Sequence, residues 1–160
     1  MLPDSRDLHS FRSTDWTTQY QNVLESTLLW TKAVIPGMID RKFGRIVHVV
    51  SDSARIGVPK MSIYETMKAA VSSFSRSLAQ ELARYNITCN CVSIGVQEID
   101  EVKGSSTEAV FKLDKTLKLA PLRRYSEPEE LGVMMACLAS ELGAYVTGQT
   151  ISVSGGLVMT

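Results

Sequence analysis

From Trp16 to Met38 the chain carries Trp16, Tyr20, Val23, Leu24, Thr27, Leu28, Thr31, Val34, Ile35 and Met38 at intervals of three and four, which predicts a long helix over about 16–40. Ser13, Thr14 and Asp15 ahead of it are N-cap types. Pro36 falls late in the segment, where its missing N–H kinks or ends a helix, and 41–44 reads as a turn. Arg45 to Val50 (RIVHVV) is a β-branched run of the kind found in buried parallel strands. Residues 51–62 read as a loop. Met67, Val71, Phe74, Leu78 and Leu82 then mark one stripe of a second long helix over 63–85, ended by Asn86. Ile87 to Val92 is the next strand. A polar stretch over 94–120 holds a short amphipathic helix near Glu108 to Leu119, broken by Pro121. Ser126 with Glu129 resembles a capping box, with Pro128 in the first turn of a helix running to about Leu142. Thr150 to Val153 (TISV) is the last strand, followed by Gly155 and Gly156. Helices alternating with strands imply an α/β fold with a parallel sheet, and no repeat or linker divides 1–160, so one domain is expected.

Composition narrows the function classes. Seventeen basic and seventeen acidic residues cancel, which gives no electrostatic reason to expect nucleic acid or an anionic membrane as partner. No apolar run approaches the roughly 20 residues of a membrane span, and the opening MLPDSRDLHSFRSTDW has no apolar core of a signal peptide. Cys89 and Cys91 share one strand face, with no second Cys/His pair to complete a zinc site. Buried reduced thiols and a cytoplasmic location are expected.

The candidate chemistry is Tyr64-x-x-x-Lys68 at a helix start. Four residues is about one turn, so both side chains share a face. A phenol is a poor acid or base at neutral pH, and a nearby ammonium favours the phenolate and draws its pKa down. The tyrosine can then exchange a proton with a carbonyl or carbinol oxygen. Ser51, at the carboxyl end of its strand, stands where open α/β sheets place ligands.

The stretch GRIVHVVSDSARIGVPKMSIYETMKAAVSSFSRSLAQELARYNITCNCVSIG resembles the centre of the short-chain dehydrogenase/reductase family. Its marks are the G-R-I-V strand, Ser51 thirteen residues before Tyr64, Y-x-x-x-K-A-A, and I-T-x-N-x-V, with Asn90 at the structural asparagine. PLRRYSEPEELG and TGQTISVSGG resemble the closing segments, so the likeness runs from about Trp16 to Gly156. SDSARIG and ISVSGGLVMT are similar to the branch that oxidises alicyclic or aryl hydroxyacyl-CoA thioesters. The resemblance implies a partial Rossmann-like three-layer fold, the catalytic and oligomerisation half of a family member. It implies Ser51, Tyr64 and Lys68 as catalytic residues, with Tyr64 as acid/base and Lys68 lowering its pKa. NAD or NADP is the implied cofactor, lying against Tyr64, Lys68, Ile94 and Gly95 if one binds at all, with hydride passing to or from a secondary alcohol or ketone.

The sequence also departs from the family pattern. No trio of its ten glycines forms the G-x-x-x-G-x-G turn that cradles the pyrophosphate, so the sheet is expected to lack the N-terminal dinucleotide-binding strands. Alignment on 31–34 puts Val23 at the active-site asparagine, with Asn22 one residue and about 100° away on a helix. Ile94 replaces the family proline, and Ile99 the threonine that meets the nicotinamide carboxamide. RIVHVV should have a further strand beside it, and something must cover that edge. His48 is expected to be a packed, hydrogen-bonded histidine, and His9 carries no role. Glu98, Asp100 and Glu101 read as a solvated loop face. Arg123 and Arg124 read as a surface pair or as contacts for an anion such as a CoA phosphate. Met134, Met135 and Leu138 read as core or interface.

Two functions follow. The first is a degenerate, non-catalytic subunit that assembles as a dimer or tetramer with a complete NAD-dependent dehydrogenase. The second is an active oxidoreductase whose cofactor half lies outside these residues.

Overall fold

A computed structural model of the protein describes residues 6–97 and 117–159. The first helical segment is α1 (Asp15–Gln19), a π-helical turn (Tyr20–Glu25) and α2 (Ser26–Asp40) in unbroken succession. β1 (Gly44–Ser51) follows, then a short α3 (Ser53–Ile56) and the long α4 (Ser62–Leu82). β2 (Ile87–Ile94), α5 (Pro128–Ala139) and β3 (Thr150–Val153) complete the order. The three strands are parallel in the order β1-β2-β3.

Side-chain alternation sorts the strands onto two faces. Ile46 and Cys89 pair in register and meet Leu78, Ala79 and Leu82 of α4, with Ile35, Met38 and Ile39 of α2 packed against them. Val92 packs with Leu131 and Leu138 of α5 on the other face, joined by Val47, Ile94, Ile151 and Val153. Helices thus cover both faces of the sheet, as the Rossmann-like three-layer expectation requires.

Four local expectations are revised. Pro36 does not end its helix, which runs on to Asp40 because Ile35, Met38 and Ile39 are held against the core. The π-turn at 20–25 replaces the straight α-helical phase assumed around Asn22 and Val23. The loop at 51–62 contains α3. The capping box sits one residue later than expected: Glu127 is the N-cap, and its N–H donates to the Glu130 carboxylate at 2.9 Å. Ser126 stays extended because its own N–H bonds the Val96 carbonyl at 3.3 Å. Glu130 also holds Arg124, which explains that arginine without an anion. The strands and α4 match their expected spans closely, and Asn86 ends the helical run in a left-handed conformation at φ 58°. Most of the amphipathic helix expected near 108–119, with Glu98, Ile99, Asp100 and Glu101, lies outside the described residues.

His48 is buried between three elements. Its Nε2 lies 2.9 Å from the Thr31 hydroxyl of α2 and its Nδ1 2.7 Å from the Ser75 hydroxyl of α4. The Cys91 thiol donates to Ser75 at 3.1 Å, and burial pushes the neighbouring Cys89 thiol up to about 12, so both are inert packing groups. Burial also holds the His48 pKa below its ordinary 6.5. The folded state therefore favours neutral imidazole, and the unfolded chain binds a proton first as pH falls. Stability from His48 is complete above the unfolded pKa and is lost as pH drops through the folded one. The urea midpoint is expected to fall between pH 7 and pH 5, with a smaller fall in His48→Asn. Equal falls in the two proteins would place the acid-sensitive group elsewhere.

Candidate active site

The end of β1 and the start of α4 meet at the carboxyl edge of the sheet, and this junction carries the sequence-predicted residues. Ser51 closes β1, while Tyr64 and Lys68 stand one turn apart on α4. All three are half-buried. The Ser51 hydroxyl is near enough to the Tyr64 phenol to favour its ionised form. It also lies 2.9 Å from the Ser53 hydroxyl and accepts the Ser53 N–H at 3.3 Å, so the α3 turn orients it. Ser53 supports Ser51 in this arrangement.

The Lys68 ammonium is 5.7 Å from the centre of the Tyr64 ring but donates to the Val49 carbonyl at 2.9 Å. The phenol consequently lacks the expected drop in pKa. Burial raises it above its ordinary value, the neighbouring Ser51 hydroxyl offsets part of that, and the nearby Glu65 carboxylate adds to the rise. Burial lowers the Lys68 pKa. In this geometry Tyr64 is a weaker acid than free tyrosine.

The residues expected around a nicotinamide pack as follows. Ile94, opposite Ser51 in register, packs into the α5 side of the core. Gly95 is needed for chain packing: a Cβ there would come within 2.5 Å of the Ser154 Cβ and 2.8 Å of its Cα. Val23 is half-buried and Asn22 exposed on the π-turn. Lys68 is held by the Val49 carbonyl beside these positions.

Sequence reasoning missed Asp52. It is fully buried, and its Oδ2 accepts the Ser152 hydroxyl of β3, which in turn lies 2.8 Å from the Ser154 hydroxyl. Its N–H bonds the Ile94 carbonyl at 3.0 Å and its carbonyl accepts from Arg55 and Ile56. Asp52 therefore ties the end of β1 to β2, β3 and α3, which fixes Ser51 beside it. An acidic residue closing an apolar strand was the available signal. A cavity of about 220 Å³ opens beside Ser51, lined also by Arg55, Ser72, Arg76 and Thr150. Among the described residues no group of three or more His, Cys, Asp or Glu could hold a metal ion, and no helix is long and apolar enough to cross a membrane.

Comparison with known proteins bears on this arrangement. A family model described as enoyl-(acyl carrier protein) reductase matches residues 1–158. The chain is 36% identical over 146 residues to a 3-oxoacyl-[acyl-carrier-protein] reductase of Synechocystis, covering 91% of this chain and 57% of that protein. It is 38% identical over 145 residues to an acetoacetyl-CoA reductase of Cupriavidus necator, covering 91% of the chain and 58% of that protein. The chain thus spans somewhat over half the length of these curated relatives. A solved structure described as that of a gluconate dehydrogenase from Agrobacterium tumefaciens superposes with a TM-score of 0.90 at 23% identity, over 99% of this chain and 63% of the other. At that identity the likeness establishes the fold alone.

Proposed function

The chain belongs to the short-chain dehydrogenase/reductase family, and from that membership we propose that it is the substrate-side half of an NAD(P)-dependent oxidoreductase, silent as arranged here and active when joined by a nucleotide-binding half. The observation that carries this reading is the placing of Ser51, Tyr64 and Lys68 together at the carboxyl edge of the sheet, with Ser51 held by Ser53 and by the Asp52 tie to β3. A half-buried pair of hydroxyls of this kind suits a carbonyl oxygen: Ser51 holds it and Tyr64 exchanges a proton with it. The curated relatives named above reduce 3-oxoacyl and acetoacetyl thioesters by name, so a thioester-linked 3-oxoacyl or 3-hydroxyacyl group is the proposed substrate class. That class also contains the hydroxyacyl-CoA branch suggested by SDSARIG. NAD or NADP would supply or accept hydride once a complete cradle exists.

Co-expression with the nucleotide-binding half of a family member tests this. NADH and NADPH consumption against acetoacetyl-CoA is expected only in the pair that co-purifies. A co-purifying pair without turnover would end the proposal.

The other reading is a non-catalytic subunit of a dimer or tetramer built with a complete dehydrogenase. Val23 at the asparagine position and the raised phenol favour it. Large apolar side chains on the outer faces of the helices, Trp30 at 76% exposure and Val133 at 71%, supply surface for such assembly in either reading. Retention of the chain by a full-length family member, with that member's turnover unaffected by Tyr64→Phe here, would favour the silent subunit. A cytoplasmic setting is proposed for both.

A further inference from the structure

The cavity of about 220 Å³ beside Ser51 is closed by four elements: β1 at Ser51, α3 at Arg55, α4 at Ser72 and Arg76, and β3 at Thr150. Ala54 and Ala69 also line it, and their methyl groups are too short to fill it. Ser72 and Arg76 stand four residues apart on α4 and so share a face. Ile151 and Val153 pack on the α5 side of the sheet, so Thr150 turns to the α4 side by strand alternation. Its register partner Cys91 does the same, packing with Val71 of α4. The Arg55 N–H bonds the Asp52 carbonyl at 2.9 Å, so the turn that orients Ser51 also fixes the backbone of Arg55.

The polar side chains on these walls are two guanidinium groups, with five N–H donors each, and three hydroxyls. No acidic side chain lines the cavity among the described residues. Asp52 is next in sequence to Ser51, but it is fully buried and turned to Ser152. Among the described residues no carboxylate pairs with Arg76. The charge of Arg76 is near enough to Cys91 to favour its thiolate, so the positive potential reaches the sheet beside Thr150. Two like charges on one small cavity repel, and an anion between them removes that cost. A carboxylate offers two oxygens. A phosphate group offers three or more and up to two negative charges, which suits donors arriving from four elements.

We propose that the cavity between α3, α4 and β3 is a binding site for a phosphate group, either inorganic phosphate or the phosphate of a monoester, held by Arg55 and Arg76 with the hydroxyls of Ser72 and Thr150. The two arginines grip the anion from separate elements, and the hydroxyls complete its shell from the helix and the sheet. The Ser72 hydroxyl reaches the Lys68 carbonyl at 3.3 Å, a long bond that a charged oxygen outcompetes. The site needs neither hydride transfer nor a nucleotide-binding half, so it stands or falls apart from the proposed function.

The test titrates the isotope-labelled chain with sodium phosphate, against sodium chloride at matched ionic strength, and reads the amide signals of Ser72, Arg76 and Thr150. These signals are expected to move saturably with phosphate and not with chloride. Arg76→Gln and Arg55→Gln should each weaken phosphate binding about tenfold or more, and Thr150→Val about threefold to tenfold. Arg76 and Arg55 are exposed, so their replacement leaves the core intact, which unchanged signals from β1 and β2 would verify. Arg84→Gln, at an exposed arginine outside the cavity, should bind as the parent does. A parallel arm compares CoA with dephospho-CoA, which lacks only the monoester phosphate. Binding of CoA about tenfold tighter, lost in Arg76→Gln, assigns the site to a monoester, whereas equal binding of the two beside saturable inorganic phosphate assigns it to the free anion. A response to chloride equal to that of phosphate, shifts that do not saturate, or equal weakening by Arg84→Gln and Arg76→Gln shows only diffuse surface attraction and overturns the inference.

Discussion

Tyr64→Phe is expected to cut acetoacetyl-CoA turnover of the completed protein by about 100- to 10,000-fold, the range that a positioned acid/base contributes. Phenylalanine keeps the ring and its packing and removes only the hydroxyl that faces Ser51. The loss should fall on kcat, with binding of the thioester little changed. Tyr145→Phe serves as the comparison, because Tyr145 is fully exposed and outside the site. Ser51→Ala should be less severe, since Ser53 remains nearby, within 2.9 Å of the present Ser51 oxygen. Measured kcat for Tyr64→Phe within a factor of a few of the parent would show that another group moves the proton.

Leu138→Ala is expected to destabilise the fold by about 2–5 kcal/mol, a large share of the roughly 5–15 kcal/mol that holds a domain together. Leu138 is 2% exposed and fills the seam between α5 and Val92 on the sheet. Truncation leaves a cavity that a helix tethered by Leu131 on one side closes only partly. Val133 lies on the same helix but is 71% exposed, so Val133→Ala should shift the urea midpoint little. Similar shifts for the two substitutions would mean that α5 does not pack on the sheet as described.

The contrast between Leu138 and Val133 shows what periodicity conveys. Both are apolar residues of one helix, and the spacing with Met134 and Met135 could assign a face only as core or interface. The sheet partner Val92 decides which positions are covered. The capping box gives a second case. Ser126 and Glu129 have the right residue types at the right interval, but Ser126 is drawn into pairing with Val96, so Glu127 and Glu130 take the roles. At Pro36 the local rule to stop the helix is overridden by three apolar neighbours that gain contacts when it continues.

What the sequence determined by itself is what depends on near neighbours. The two long helices, the strands RIVHVV, ITCNCV and TISV, the parallel α/β order and the one-turn spacing of Tyr64 and Lys68 all follow from repeats of two, three or four residues. The family resemblance was legible for the same reason, since it is written in short motifs. What only the tertiary structure decided depends on residues distant in sequence. Lys68 finds the carbonyl of Val49, 19 positions back, and Asp52 finds Ser152, 100 positions on. Charge and burial at Tyr64 are set by those folded neighbours, because desolvation and hydrogen bonding act through space. Spacing brought the tyrosine and lysine onto one face, and the fold brought the Val49 carbonyl within 2.9 Å of the lysine's ammonium.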